Sequence, residues 1–270
     1  MSILWVGILL GTGFSAGLVG GLLGIGGCSI ILPILIFVFN YSEPIAIGTT
    51  ITAVIITATS GAIAHIRLKN VDHKTSGIVN LAGSIGAAIG SIILFWIMDQ
   101  LWLLDVILGL AFIYTSIRMM YEGALKRGPG LAKSSKTGSL DAKVVPGSSW
   151  LKAVLGLGVG VITGIVGLGG GYMLMPLYIY VLHSPVKIAV GTSLESFIGQ
   201  AVVSSGFKLC QGIVDILAAI CLGVGTAIGA QVGARLVPKV PAWFIKALFG
   251  AVFFVVSVKF LCKGLGIPFF

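Results

Sequence analysis

The chain reads as an all-α polytopic membrane protein made of two tandem repeats. Two observations predict this: the composition, and a self-similarity at one fixed interval. Of 270 residues, 57% are hydrophobic and only 9% are charged, with a mean hydropathy of +1.12. Soluble domains carry about 25% charged residues, so a water-soluble globular fold is excluded. The 40 glycines suit close helix contacts in lipid.

Residues 1–42 hold no charged side chain. As one helix they would extend about 63 Å, twice a hydrocarbon core of roughly 30 Å. The stretch must cross twice, or cross once and re-enter, and the break belongs at Gly20, Gly21, Gly24, Gly26 and Gly27. Met1-Ser2-Ile3-Leu4-Trp5 lacks the basic n-region of a cleaved signal, so this stretch is expected to stay in the mature protein. Apolar runs follow over 44–64, 75–98 and 101–118. Residues 122–149 change character, with Gly128-Pro129-Gly130, Lys136-Thr137-Gly138-Ser139 and Pro146-Gly147, and read as a flexible, basic, cytoplasmic linker. Residues 153–186 are again charge-free, followed by 187–207, 216–234 and 243–258. The expected organisation is a first transmembrane repeat over 1–121, the linker over 122–149 and a second repeat over 150–270, with eight to ten membrane segments.

The repeats align without a gap. Gly24, Gly26 and Gly27 fall on Gly167, Gly169 and Gly170; Pro33 falls on Pro176, Gly48-Thr49 on Gly191-Thr192, Val71-Asp72 on Val214-Asp215, and Gly86 and Gly90 on Gly229 and Gly233. The interval is 143 throughout (167 against 24, 215 against 72, 233 against 90). Basic loops swap places between the halves. Arg67, Lys69 and Lys74, beside His65 and His73, match a loop with only Lys208 against Asp215, whereas Arg235 and Lys239 match the uncharged Ile92 and Trp96. Under the positive-inside rule that pattern predicts inverted repeats with both termini outside.

Three groups of residues are candidates for chemistry. Gly24, Gly26, Gly27 and Cys28, followed by Pro33, and Gly167, Gly169, Gly170, Gly171 and Tyr172, followed by Pro176, are matched Gly/Pro-interrupted segments. Such pairs point to a transporter site, because a helix broken inside the membrane turns backbone N–H groups and a partial positive charge toward an anion. Thr49 and Thr50, matched by Thr192 and Ser193, supply hydroxyls that can donate to an oxyanion without a buried charge. Glu195 stands alone in the uncharged stretch 188–207. It could carry a coupling proton, or close a capping box as Thr192-x-x-Glu195.

Other residues read as structural. Gln200, Gln231 and Asn80 read as bridges between spans, and Asp72 and Asp215 as helix N-caps. Gly86-x-x-x-Gly90 and Gly229-x-x-x-Gly233 are packing faces, within the fold or in a homodimer. His65, His73 and His183 read as solvated at span ends.

Several function classes drop out. The net charge of +9 is concentrated in and around the linker, with no basic stripe interleaved with aromatics, so no nucleic-acid partner is indicated. Cys28, Cys210, Cys221 and Cys262 have no metal or redox spacing. No P-loop occurs, and no strand precedes either glycine cluster, so no nucleotide or other cofactor is expected. Intramembrane protease motifs are absent.

The arrangement resembles the sulfite exporter TauE/SafE family of membrane permeases. The resemblance rests on Gly21-Leu-Leu-Gly-Ile-Gly-Gly27 running to Pro33, Gly164-Ile-Val-Gly-Leu-Gly-Gly-Gly171 running to Pro176, Gly191-Thr192-Ser193-Leu194 and Gly212-x-Val214-Asp215. It covers the chain except the linker. It implies a multi-pass transporter of the bacterial or archaeal inner membrane for small sulfur-containing anions such as sulfite, thiosulfate or organosulfonates. The departures are Cys28 where the second repeat has Gly171, and Thr50 where it has Ser193. The expectation is a secondary transporter that alternates access to a midplane anion site, with the bilayer and a small anionic solute as partners. An anion channel is the alternative, and an intramembrane enzyme is the less favoured one.

Overall fold

The computed structural model describes residues 3–100 and 144–267, with part of 102–121 between them. The linker read over 122–149 lies outside the described residues up to 143. Every regular element among the described residues is a helix, as hydrocarbon requires of a chain that must satisfy its own backbone.

The first half comprises α1 (Ile3–Leu23), α2 (Cys28–Phe37), α3 (Glu43–Arg67) and α4 (His73–Ile97). The second comprises α5 (Ser149–Val166), α6 (Gly171–Tyr180), α7 (Val186–Ser196), α8 (Ile198–Cys210), α9 (Ile216–Leu236) and α10 (Ala242–Gly264). Among the described residues, six helical stretches are long and apolar enough to cross a membrane: α1, α3, α4, α5, α7 with α8, and α9. α2 and α6, ten residues each, are about 15 Å long and reach half-way.

The longest interfaces are seams of small residues. α1 lies on α9, and α4 lies on α5. A Cβ built on Gly13, Gly17 or Gly21 would lie 2.5, 2.2 or 2.4 Å from the carbonyl oxygens of Leu222, Thr226 and Ala230. On α5, a Cβ on Gly156, Gly160 or Gly164 would lie 2.8, 2.1 or 2.4 Å from those of Val79, Gly83 and Ala87. Seen from the other side, Gly86 and Gly90 meet Leu157 and Val161, and Gly229 and Gly233 meet Phe14 and Leu18. Each contact in one seam has its counterpart 143 residues away in the other, with the partners exchanged. Small residues every fourth position let the backbones touch, which substitutes for the hydrophobic drive that lipid does not provide. In both seams the paired positions advance together, so the two helices of each seam run in the same direction.

The glycines also set where helices stop. α1 ends because Gly24, Gly26 and Gly27 take φ of 75°, 70° and 75°, a region that residues with a Cβ rarely adopt. α5 ends where Gly167 (φ 67°) sends its N–H to the Thr163 carbonyl at 2.8 Å. Farther on, Asn40 and His183 both adopt positive φ, 55° and 53°. Tyr41 N–H closes on Leu35 at 2.9 Å, as Ser184 N–H does on Tyr178 at 2.8 Å.

Asp72 caps α4 through the Lys74 and Thr75 amides, and Asp215 caps α9 through the Ala218 amide. Both N-caps agree with the sequence reading. Asn80 accepts from Gly199 N–H, and Gln231 donates to Ser60, so both bridge helices as expected.

The seams predict a sharp contrast between glycines. Gly229→Leu, whose Cβ would sit 2.1 Å from the Phe14 carbonyl, should destabilise the protein by about 2–3 kcal/mol. Gly158→Ala, with nothing within 4 Å, should stay within about 1 kcal/mol of the parent. Thermal unfolding in detergent measures both, and equal losses would refute the assignment of the seams.

Candidate functional site

The two glycine turns converge on one aromatic ring. A Cβ on Gly26 would lie 2.7 Å from the Phe197 ring, and one on Gly169 would lie 3.2 Å from both Phe197 and Val54. One on Gly171 would lie 2.5 Å from the same ring and 2.7 Å from the Gly24 carbonyl, so the turns touch. Phe197 and Val54 themselves stand 143 residues apart. All residues of 20–28 and 166–172 are buried. Phe197 also ends α7 and starts α8, with φ −102°, so this crossing is interrupted at the level of the turns. Its first-half counterpart α3 runs unbroken.

Each break exposes two opposite poles. The amide ends of α2 and α6 begin at Gly27 and Gly170 with no side-chain cap, leaving first-turn N–H groups free of intrahelical partners. The carbonyl ends of α1 and α5 are capped by basic side chains. His65 Nε2 donates to the Gly21 carbonyl at 3.2 Å, and Lys208 Nζ donates to the Gly164 carbonyl at 2.6 Å. His65 and Lys208 are matched across the halves, as are Gly21 and Gly164. Both basic side chains are fully buried. This corrects two sequence readings: His65 is not solvated, and Lys208 is not a loop charge but part of α8. The interval of 143 already linked the two positions, but the residue types differ, and a comparison that looks for identities passes over them.

The other predicted residues divide between the turns and the surrounding frame. Ser193 Oγ donates to the Gly24 carbonyl at 2.8 Å, tying α7 to the first turn. Its counterpart Thr50 is fully buried and its hydroxyl has no partner among the described residues. Cys28 turns its thiol to the Ile25 carbonyl at 2.8 Å, and buried Tyr172 stacks on Phe253. Gly27 packs on Ala16 of α1, and Gly167 packs on Ile47 of α3. Thr49 and Thr192 serve the frame. Thr192 Oγ1 accepts the Asp72 amide and Thr49 Oγ1 accepts the Asp215 amide, both at 3.0 Å. Glu195 pairs with His73 Nδ1 at 2.8 Å, at the start of α4. Gln200, read as a bridge, lies against the second turn. Its Oε1 is buried without a partner, 2.6 Å from where a Gly170 Cβ would be.

The two loop regions next to the frame differ in access. Phe39, Asn40, Tyr41, Gly212 and Asp215 line an open pocket of about 430 Å³. There Tyr41 donates to Asp215 at 2.8 Å, and burial, then the Asp215 carboxylate, pushes the Tyr41 hydroxyl up to about 12. The matching position around Asp72 is filled. Val145 N–H donates to Asp72 Oδ2 at 2.8 Å, and buried Lys152 holds the Val145 carbonyl at 2.6 Å.

The sequence model of the family described as Sulfite exporter TauE/SafE matches residues 9–260. The chain belongs to the TauE/SafE family. Its relatives are named as transporters. Probable membrane transporter protein YunE of Bacillus subtilis (strain 168) is 25% identical over 269 residues, covering 96% of this chain and 98% of the relative. A Probable membrane transporter protein of Xylella fastidiosa (strain Temecula1 / ATCC 700964) is 28% identical over 254 residues, 93% of each. Probable membrane transporter protein MJ0441 of Methanocaldococcus jannaschii is 23% identical over 267 residues, 94% of each. No solved structure matches significantly. This TauE/SafE protein is therefore a multi-pass membrane transporter, in line with the resemblance read from its glycine motifs.

The filled loop region makes a pH prediction for this TauE/SafE protein. Burial alone would raise the Asp72 carboxyl, but hydrogen bonds from Thr75 and Val145 and the nearby Lys152 outweigh it and hold the group below its ordinary 3.8. A depressed carboxyl contributes stability that is complete above the unfolded value and is lost as pH falls through the folded one. The apparent melting temperature should therefore drop as pH is taken below about 4, and Asp72→Asn should flatten that drop. An Asp72→Asn protein with the full acid drop would overturn the assignment.

Proposed function

We propose that the protein is a secondary transporter of small sulfur-containing anions, such as sulfite, thiosulfate or an organosulfonate, that alternates access to a site between its two glycine turns. The observation that carries this reading is the meeting of two buried, side-chain-uncapped helix amide ends at Phe197. Backbone amides and a positive helix pole bind an oxyanion and reject a cation. The amides near Gly24–Cys28 and Gly167–Tyr172 hold the anion in this reading, with the Thr50 hydroxyl and Gln200 side chain as further contacts. Sulfur enters through the family's description as sulfite exporters.

Two features support alternating access. The halves are proposed as inverted repeats over 1–121 and 150–270. The two parallel seams, α1 with α9 and α4 with α5, and the turn of only five residues that joins α3 to α4 support that reading. The loop around Asp215 borders an open pocket while the matching loop around Asp72 is occupied by Val145, so the two ends differ at the surface. A channel would be open to both at once, which makes it the second reading. Glu195, held by His73, is the proposed proton-coupling group.

Uptake of radiolabelled sulfite and thiosulfate into proteoliposomes, with and without a pH gradient, tests this. Saturable uptake driven uphill by the gradient is expected. Glu195→Gln should abolish the uphill accumulation while downhill flux and anion binding persist. Absence of uptake of either anion would remove the sulfur-anion reading, and non-saturable flux would favour the channel.

A further inference from the structure

His65 and Lys208 are not explained by helix packing alone. Each is a fully buried, basic side chain in the last turn of a membrane-crossing helix, and a buried charge without an ionic partner is costly. Lys208 Nζ contacts only neutral acceptors: Gly164 O at 2.6 Å, Ser204 Oγ at 2.9 Å and Ser91 Oγ at 3.3 Å. His65 contacts Gly21 O through one ring nitrogen, and its Nδ1 is buried without a partner.

No ion pair reaches either residue among the described residues. The elements packed on α8 carry His73 and Lys74 at the start of α4, Lys152 at the start of α5, Lys187 and Glu195 on α7, and Glu43, His65 and Arg67 at the ends of α3. Those packed on α3 add Arg235 on α9, Lys208 on α8 and Lys263 at the end of α10, the last bound to Glu43; α1 and α2 carry no charged residue. Lys69 and Asp72 lie in the loop after α3, and Asp72 is engaged by Thr75 and Val145.

The position of the two groups gives their charge a purpose. A helix end carries about half an elementary charge, negative at the carbonyl end and positive at the amide end. At each break the carbonyl end of one helix lies three or four residues from the amide end of the next, so an anion at the turn meets two nearly cancelling poles. A cation on the carbonyl end removes the opposing pole.

We propose that His65 and Lys208 are positioning residues that set the anion affinity of the two turns by their protonation. Protonated, each leaves its turn with net positive potential; neutral, it leaves the opposing poles to cancel. This rests on the anion-carrier reading above and adds to it a mechanism for pH-dependent affinity, separate from the gradient coupling assigned to Glu195.

Sulfite uptake by the full chain in proteoliposomes, at equal pH on both sides from 6 to 9, is the test. Thermal stability of each variant is recorded beside it. The half-saturation concentration of the parent should rise with pH. His65→Gln and Lys208→Gln keep an N–H for the carbonyl but carry no charge. Lys208→Gln should raise half-saturation by roughly tenfold at pH 6, the scale of one lost charge-assisted interaction, and His65→Gln by less, because an imidazole is the weaker base, with both changes small at pH 9. Lys208→Arg, which cannot deprotonate, should keep low half-saturation to pH 9. If both glutamine variants retain the parent's pH profile, the two residues are only hydrogen-bonding caps and the inference is overturned while the carrier reading stands. If the parent moves no sulfite at any pH, the carrier reading fails and takes this inference with it.

Discussion

A helix interrupted inside a bilayer leaves amides and carbonyls that hydrocarbon cannot satisfy, and the architecture of this protein follows from how it meets that constraint. The breaks at Gly24–Gly27 and Gly167–Gly170 are wrapped by α3, α7 and α8 and touch no lipid. Their carbonyl poles are closed by His65 and Lys208. Their amide poles begin at Gly27 and Gly170, N-cap residues that carry no capping side chain.

Holding such turns in place demands rigid neighbours without large side chains, because lipid offers no hydrophobic drive to force helices together. The glycine seams meet that demand. α1 and α5 each press a glycine at every fourth residue onto a carbonyl of the facing helix, which places α1's last turn, and hence the break after it, against a fixed backbone. The same spacing carries the turns and the seams, so the glycine content serves stability and function together.

The departures from symmetry are where the halves acquire different duties. Phe197 faces Val54 and interrupts only the second-half crossing. Glu195 stands opposite Thr52, and its His73 partner ties it to the start of α4. Around Asp72 the chain fills a space that is open around Asp215. A perfectly symmetric molecule would present both ends alike, whereas at these positions the two halves differ.

Much of this was legible in the chain itself. Charge-free runs longer than a bilayer is thick, Gly/Pro clusters repeated at 143, and aspartates at matching junctions determined the helical membrane class, the positions of both breaks and the two N-caps, because these depend on local backbone freedom and on the cost of charge in lipid. Tertiary structure alone decided what lies against the breaks. Thr49 and Thr192, read as anion contacts, accept loop amides, because the loop of each half folds onto the helix of the other. His65, read as solvated, and Lys208, read as a loop charge, are buried beneath the carbonyl ends of α1 and α5. A residue's burial depends on which helix lands beside it, and that partner lies between 44 and 174 residues away in these contacts, beyond the reach of any local pattern.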